Sequence, residues 1–353
     1  GEQGGNIARI AVLAADWVEL KALSETTRAA SRADLIKMQG PDLDEVDEHG
    51  LQEADGEHAH DELETEIVNP KLESWIDEVL EELDFRSRSL GDSYPFDLSF
   101  SDDQWSIRLV EDEVSGPTLA HRCYLACLLV TAVRFHLVRS PDGAKDQSFA
   151  SGIDDCLQIL AYLTAGQIVG GEAYWFGWPR HDNSKSMAAA VSNLFTRMGI
   201  VGRPGETPKW ATGSEQDGGV DVVAWRNFGD GYPGRLLLFG QVASGKTDWK
   251  KKSVIDVVRA HFSEWLRPYE QGSYIPAHFI AWPQYLEESV PRAEYVHRLH
   301  LLEKILGLVV DRLRLTELMA AVERAGELPS DLAEQFDKVV EWHDRMLATA
   351  RAA

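Results

Sequence analysis

The sequence predicts an α/β protein in which a central mixed sheet is flanked by helices. Hydrophobic periodicity over residues 187–282 predicts the order helix, strand, strand, helix, strand, and the chain before and after is mainly helical. The apolar fraction of 44% over 353 residues is enough to build a large buried core. We therefore expect a mainly helical module over residues 1–170, an α/β core over 171–290 and a helical extension over 291–353.

The N-terminal module is expected to contain helices and one short hairpin. Ser31 is followed three residues later by Asp34, which marks a helix start within residues 7–38, and Asn69 followed by Pro70 marks another start. Alternating apolar and polar residues predict a hairpin over 94–110. Apolar periodicity predicts two further buried helices, over 118–138 and 153–168.

The two ends of the predicted core are marked by changes in pattern. Residues 170–180 are rich in turn-forming and aromatic residues, so we interpret them as a connector whose rings form a hydrophobic seam, with stacking on bases as the alternative. From Pro291 the periodicity is helical, and it includes Leu308-Val309-Val310. A last helix is expected to begin at Ser330.

The negative charge of the chain is concentrated in one segment. The formal net charge is -23, but residues 42–84 hold 18 Asp and Glu against Lys71 alone, so the rest of the chain carries only -6. Residues 41–67 are predicted to form an acidic surface loop. This loop could occupy a basic groove as a nucleic-acid backbone does. A nucleic-acid partner is therefore not excluded by the overall charge.

The cysteines and the longest apolar helix indicate a cytoplasmic protein that does not cross a membrane. Cys123, Cys127 and Cys156 lie in apolar helical stretches, which is typical of core thiols in a reducing compartment. The apolar stretch over 124–138 contains Arg134 and His136 and is too short to span a bilayer. No signal peptide is recognisable at the first residues.

Residues 215–252 combine a predicted hairpin with polar residues that suit two different kinds of site. Asp221 lies within the first apolar run, and Gln241 and Lys246 follow the second. Gly240 to Thr247 also matches the phosphate-binding pattern G-x-x-x-x-G-K-[ST]. That P-loop hypothesis needs more strands after the loop than the helical pattern allows, and Asp311 is predicted inside a helix.

The run Asp217-Gly-Gly-Val-Asp221-Val-Val, followed by an apolar strand and Gln241, resembles the catalytic domain of Mrr-type restriction endonucleases. These enzymes are a branch of the PD-(D/E)xK nuclease superfamily, and the resemblance covers about residues 185–285. It implies a restriction-endonuclease-like fold, a DNA substrate, and Asp221 as a metal ligand with Gln241 in place of an acid. By analogy it implies a role in bacterial restriction or anti-phage defence.

Two positions depart from the family pattern. Ala243 stands where the family has its Lys, so Lys246 is expected to take that role, and Ala188 stands near the position of the helix Glu. The missing carboxylate is then expected from Asp217, Glu215 or Glu172.

The expected activity is Mg²⁺-dependent (or Mn²⁺-dependent) endonucleolytic cleavage of DNA. The metal ion would be held by Asp221 and Gln241, and Lys246 would neutralise the transition state. The DNA-binding residues are expected to be Lys250, Lys251, Lys252 and Arg259. The helical modules are expected to bind a protein partner or to self-associate. Two alternatives stay open, a P-loop nucleotide hydrolase that uses residues 240–247 and a catalytically degenerate nuclease fold that serves as a binding or scaffold module.

Overall fold

The structure is a computed structural model of the 353-residue chain. It describes residues 10–25, 27–39, 70–101, 104–110, 116–137, 152–180, 182, 184–200, 207–209, 211, 216–230, 234–245, 249–250, 253–259, 263–266, 274–285, 292–326, 328 and 330–352. The chain divides into two compact units. The first comprises Gly1–Arg88 and Phe96–Leu109, and the second comprises Ser89–Pro95 and Val110–Ala353. The predicted acidic loop over 41–67 lies outside the described residues.

The described part of the first unit contains a small antiparallel sheet and three helices. In chain order its elements are α1 (Ala11–Ser24), β1 (Ala29–Ser31), α2 (Arg32–Gln39), α3 (Pro70–Leu90, whose last two residues belong to the second unit), β2 (Phe96–Ser101) and β3 (Gln104–Leu109). The strand order is β1-β3-β2, so the predicted hairpin is confirmed. The predicted helix start is also confirmed, because the backbone N–H and Oγ of Ser31 donate to Asp34 Oδ2 at 3.0 and 2.9 Å.

A buried ion cluster joins two helices of the first unit. The guanidinium of Arg86 on α3 is fully buried and lies 2.7 Å from Asp16 and 3.0 Å from Glu19 on α1. It also contacts Glu82 one turn earlier at 2.8 Å and donates to the carbonyl of Val12 at 2.9 Å. A buried guanidinium is stable only when its donors are paired in this way.

The second unit is built on a five-stranded sheet with helices on both faces. Its elements are α4 (Leu119–Phe135), α5 (Ile153–Val169), β4 (Glu172–Trp175), α6 (Met187–Arg197), β5 (Val222–Asn227), β6 (Arg235–Val242), the short helices α7 (Val254–Val257) and α8 (Ser263–Leu266), β7 (Ile275–Phe279), α9 (Arg292–Leu306), β8 (Leu308–Val310), α10 (Arg312–Arg324) and α11 (Ser330–Ala352). None of the described helices is long and apolar enough to cross a membrane.

The sheet is mixed, as predicted, with the strand order β4-β5-β6-β7-β8. Strand β5 runs antiparallel to its two neighbours, β4 and β6, and β7 runs parallel to its two neighbours, β6 and β8. The change of direction follows from the connections. A short loop connects β5 to β6 as a hairpin. Helical segments connect β6 to β7 and β7 to β8 along the chain, and they carry it back so that each strand can run parallel to the one before.

Two strands correct the predicted element order. Residues 172–175 were predicted to lie in a connector, but they form β4 at the edge of the sheet. Residues 308–310 were predicted to be helical, but they form β8. Gly307 separates β8 from the preceding helix with φ of +86°, a conformation that favours glycine, and a Cβ atom there would lie 2.4 Å from the carbonyl oxygen of Pro276.

The helices beside the sheet form its core on both faces. On one face, α6, α7 and α8 pack against β5 and β6 around residues such as Leu194, Val223, Phe239 and Trp265. On the other, α5 contacts β4, β5 and β6, and it also contacts α4, α10 and α11. The boundary predicted at residue 170 therefore falls within the second unit, between α5 and a strand that α5 contacts.

The three cysteines are core thiols, as the sequence predicted. Cys123, Cys127 and Cys156 are free and buried between α4 and α5. A hydrogen bond to Cys127 and burial raise the pKa of the Cys123 thiol, and burial raises the pKa of the Cys156 thiol. The Cys123 and Cys156 thiols therefore stay protonated at neutral pH.

Candidate functional site

Asp221 is fixed at the start of β5 by backbone hydrogen bonds to both neighbouring strands. Its N–H donates to the carbonyl of Gly240 at 2.9 Å, on the β6 side. On the β4 side, its carbonyl accepts from the N–H groups of Phe176 and Gly177 at 2.8 and 2.7 Å. The acid predicted from the sequence therefore lies inside the sheet, at one end of three antiparallel strands.

Three polar residues lie on neighbouring strands at this end of the sheet. Val222 pairs with Gly240, and the N–H of the preceding Asp221 donates to the carbonyl of the same Gly240, so Asp221 lies beside the Gly240–Gln241 step of β6. In the next pair of strands, Gln241 is the partner of His278. Gln241 and His278 therefore project from the same face of the sheet. We call Asp221, Gln241 and His278 the polar row.

The two oxygens of the Asp221 carboxylate have different surroundings. Oδ2 accepts a hydrogen bond from the N–H of Val242 at 2.7 Å. Oδ1 faces Gly177, where a Cβ atom would lie 2.9 Å from it and 2.7 Å from Oε1 of Gln158 on α5. The absence of a side chain at Gly177 therefore lets a helix amide and the Asp221 carboxylate approach the same point.

Gln158 and His278 are two residues of this site that the sequence analysis missed. Gln158 Oε1 accepts a hydrogen bond from Trp175 Nε1 at 2.7 Å, which fixes the amide beside β4. His278 is fully buried in β7. In both cases the sequence does show a polar residue within an apolar run. Gln158 lies in Leu157-Gln-Ile-Leu160, and His278 begins His278-Phe-Ile-Ala-Trp282.

The side chain of Gln241 has an oxygen without a partner. Gln241 is 7% exposed, and its Oε1 is buried and has no hydrogen-bond partner among the residues that the structure describes. A buried amide oxygen left unpaired destabilises the folded chain by about 1 to 3 kcal/mol. Such an oxygen could bind a cation, or it could accept a hydrogen bond from a donor on a ligand.

The other predicted acids have different positions. Asp217 orders the turn before β5, since its Oδ1 accepts from Gly219 N–H at 2.8 Å and its Oδ2 from Trp178 N–H at 3.3 Å. Glu172 is exposed and pairs with Trp225, at the end of β4 far from Asp221, so the structure does not bring it to the site. Glu215 lies outside the described residues.

Two of the predicted basic residues, Lys250 and Arg259, belong to the described part of the chain. Lys246, Lys251 and Lys252 lie outside the described residues. The ammonium of Lys250 lies over the rings of Trp249 and Tyr285, 5.4 and 5.2 Å from their centroids. Arg259 is exposed near α7. The DNA-binding role of Lys250, Lys251, Lys252 and Arg259 stays a prediction.

The first part of the P-loop pattern is strand rather than loop. Gly240, Gln241 and Val242 belong to β6, and a Cβ atom at Gly240 would lie 2.5 Å from Val222 Cγ1 and 2.6 Å from Phe279 Cε2. The glycine is therefore required by packing between strands. This placement disfavours a phosphate loop, which needs free backbone N–H groups around the ligand.

Asp311 follows β8, which corrects its predicted place inside a helix. Its Oδ1 accepts from Arg314 N–H at 3.1 Å and its Oδ2 from Gln284 N–H at 3.2 Å. Burial raises the pKa of its carboxyl, and the hydrogen bond from Arg314 acts in the opposite direction. Asp311 thus serves as the N-cap of α10.

The polar row with Gln158 offers oxygen ligands but one carboxylate. No group of three or more His, Cys, Asp or Glu side chains suited to a metal ion occurs within the described ranges. Hard divalent cations also accept amide oxygens, which Gln241 and Gln158 supply. With one carboxylate among three oxygen-bearing side chains, this donor set is weaker than the carboxylate-rich sets that hold hard divalent cations.

Comparisons of the chain with protein-family models, with curated proteins and with solved structures found no match.

Proposed function

We propose that the chain is a metal-dependent nuclease that hydrolyses DNA at the Asp221 end of the sheet. The observation that carries the proposal is Asp221 beside the Gly240–Gln241 step of the adjacent strand, with the buried Gln241 Oε1 lacking a partner among the described residues. The mixed sheet with flanking helices agrees with the fold that the resemblance to Mrr-type nucleases implies.

The chain's own residues have distinct roles in this proposal. Asp221 Oδ1, Gln241 Oε1 and Gln158 Oε1 would hold Mg²⁺ or Mn²⁺, while the Val242 N–H keeps the Asp221 carboxylate oriented through Oδ2. When bound, the ion supplies charge stabilisation at the scissile phosphate and lowers the pKa of a coordinated water. Lys246, on sequence grounds alone, would neutralise negative charge that develops in the transition state.

The test is the Asp221→Asn variant, which keeps the size of the side chain and an acceptor for the Val242 N–H but removes the charge. We expect Mn²⁺-dependent cleavage of DNA to fall by about 100-fold or more. Mn²⁺ affinity, measured by calorimetry, should fall in parallel. Asp230→Asn is the matched control because Asp230 lies in the β5–β6 loop, at the other end of the strands. Equal cleavage by Asp221→Asn and the unaltered chain would refute the proposal.

A binding or scaffold module is the second candidate, because Asp221 is the one carboxylate in the polar row and amides fill the positions beside it. Such a module would bind DNA but cleave none with either Mg²⁺ or Mn²⁺. By analogy alone, we propose that the protein acts in the cytoplasm, in bacterial restriction or anti-phage defence. We also propose that its helical modules bind a protein partner or a second copy of the chain.

A further inference from the structure

A cavity of about 310 Å³ opens beside the candidate nuclease site, within the second unit. It lies between the start of α5, the segment that follows β4, and α11. One wall is apolar and includes Ile159, Trp175 and Trp342. Trp175 also donates the hydrogen bond that fixes Gln158. The volume is at the lower end of the range for small-molecule sites.

A buried cation lines this cavity. Arg180 is 5% exposed, and its guanidinium donates to two carbonyl oxygens, those of Ser184 (3.2 Å) and Gln216. Asp182 and Asp217 are near enough to favour its charge, yet among the described residues neither forms an ion pair with it. Each of these acids accepts hydrogen bonds from other groups instead.

Two further cations line the cavity from α11. Lys338 and Arg345 are seven residues apart, so they project from the same side of the helix two turns apart. Lys338 Nζ donates to Gln335 Oε1 at 3.0 Å and lies 3.8 Å from Glu334. Arg345 Nη2 is 3.6 Å from the Cβ position of Gly152.

The start of α5 adds to this positive potential. Gly152 is the N-cap residue of α5 and lines the cavity, and as a glycine it has no side chain of its own with which to cap the helix. The first backbone N–H groups of a helix favour an anion. Together with the buried Arg180, they point to a ligand that carries a phosphate group.

Two carboxylates narrow the class of ligand. Asp155 and Glu341 also line the cavity, and they disfavour a small bare anion because they repel it. Carboxylates accept hydrogen bonds from hydroxyl and amino groups, which a nucleoside carries, and the tryptophan wall suits a flat base. We propose that this cavity binds a nucleotide with a terminal phosphate, either a free nucleoside monophosphate or the 5′-phosphorylated end of a strand.

The test is calorimetric titration of the full chain with adenosine 5′-monophosphate. We expect saturable binding that is at least about tenfold weaker in Lys338→Ala and in Arg345→Ala, since each loses a charge-assisted hydrogen bond to phosphate. Adenosine, which lacks the phosphate, should also bind at least about tenfold more weakly. Arg324→Ala is the matched control, because this exposed cation on α10 does not line the cavity.

Competition separates the two sources of the phosphate. A 5′-phosphorylated oligonucleotide that displaces the monophosphate, when its 5′-hydroxyl counterpart does not, assigns the cavity to strand ends. Failure of both oligonucleotides to compete assigns it to the free nucleotide. The proposal is overturned if the monophosphate shows no saturable binding, if it binds all variants equally, or if adenosine binds as tightly. Asp221→Asn should keep full binding, so failure of the nuclease proposal is distinguishable from failure of this one.

Discussion

At the scale of single residues, the first unit buries one cation among several carboxylates. Arg86 in the first unit is surrounded by Asp16, Glu19 and Glu82, so one buried cation faces three carboxylates. Burial raises the pKa of the Glu82 carboxyl, while Arg86 acts in the opposite direction and Asp16 and Glu19 reinforce the rise. The excess negative charge therefore opposes folding when all three acids are ionised.

This excess charge predicts that Glu82→Gln stabilises the first unit at neutral pH. A raised pKa means that the folded chain binds this proton more tightly than the unfolded chain. The stabilisation that comes from protonated Glu82 is fully present below its ordinary pKa of 4.5, and it is lost as the pH rises through the pKa of Glu82 in the folded chain. Gln keeps an acceptor for Arg86 Nε, so we expect a gain of about 1 kcal/mol at pH 7, shrinking towards pH 4.5.

Hydrogen exchange of the α3 amides at several pH values measures this effect. Glu81→Gln is the control, because Glu81 is an exposed acid on the same helix and its neutralisation should change protection little. Lower protection in Glu82→Gln at pH 7 would mean that its charge is needed to hold Arg86.

Sequence reasoning found Asp221 because an acid in an apolar strand is unusual and costly to bury unpaired. It did not find Gln158 because that contact depends on which side of α5 packs against β4, which periodicity in an apolar helix does not define. His278 lies inside a correctly predicted strand. Its pairing with Gln241 depends on the register of two parallel strands, which no local sequence pattern encodes.

At the scale of elements, β6 is the strand on which the site depends. It pairs with β5 on one side and β7 on the other, and Gly240 lets the flanking side chains of Val222 and Phe279 meet over it. The hairpin was predicted from its two apolar runs, and β7 from a third. The three residues of β8 are too few to show alternation, so only Gly307 signalled the end of the preceding helix.

Packing at Gly240 predicts that Gly240→Val destabilises the sheet. The added side chain would overlap Val222 and Phe279, and overpacking of a core costs about 1 to 3 kcal/mol. Denaturant unfolding followed by circular dichroism measures the loss. Gly245→Ala provides the comparison, since no described atom beyond its chain neighbours lies within 4 Å of a Cβ at Gly245, and the stability of this variant should be unchanged. Equal stability of the two variants would contradict the strand packing described for Gly240.

At the scale of the whole molecule, the distribution of charge separates one segment from the rest. Residues 42–66 contain 12 Asp and Glu and no Lys or Arg, and they lie outside the described residues. Their effect on a polyanion is therefore argued from charge alone. Like charges repel over about 10 Å at 0.1 M salt, so the segment should weaken DNA binding most at low ionic strength.

Replacing residues 42–66 by a Gly/Ser linker of equal length is predicted to strengthen DNA binding. We expect a gain of about tenfold at low salt that diminishes as salt rises, because the removed repulsion is screened. Fluorescence anisotropy with labelled duplex DNA at two salt concentrations measures it, and cleavage should rise with affinity. The same replacement in Asp221→Asn is the control, in which binding should rise without cleavage. Unchanged affinity at both salt concentrations would show that the acidic segment does not compete with DNA.

The polar row joins contacts of very different separation along the chain. Asp221 and Gln241 lie on the two arms of a hairpin, whereas Gln241 reaches His278 only after the chain has passed through the helical segments between β6 and β7. Closing the longer loop has the larger entropic cost. Asp221 and Gln241 can therefore be brought together by local folding of the hairpin. His278 joins them only after β7 has paired with β6, so the complete polar row requires that the parallel strands of the sheet are folded.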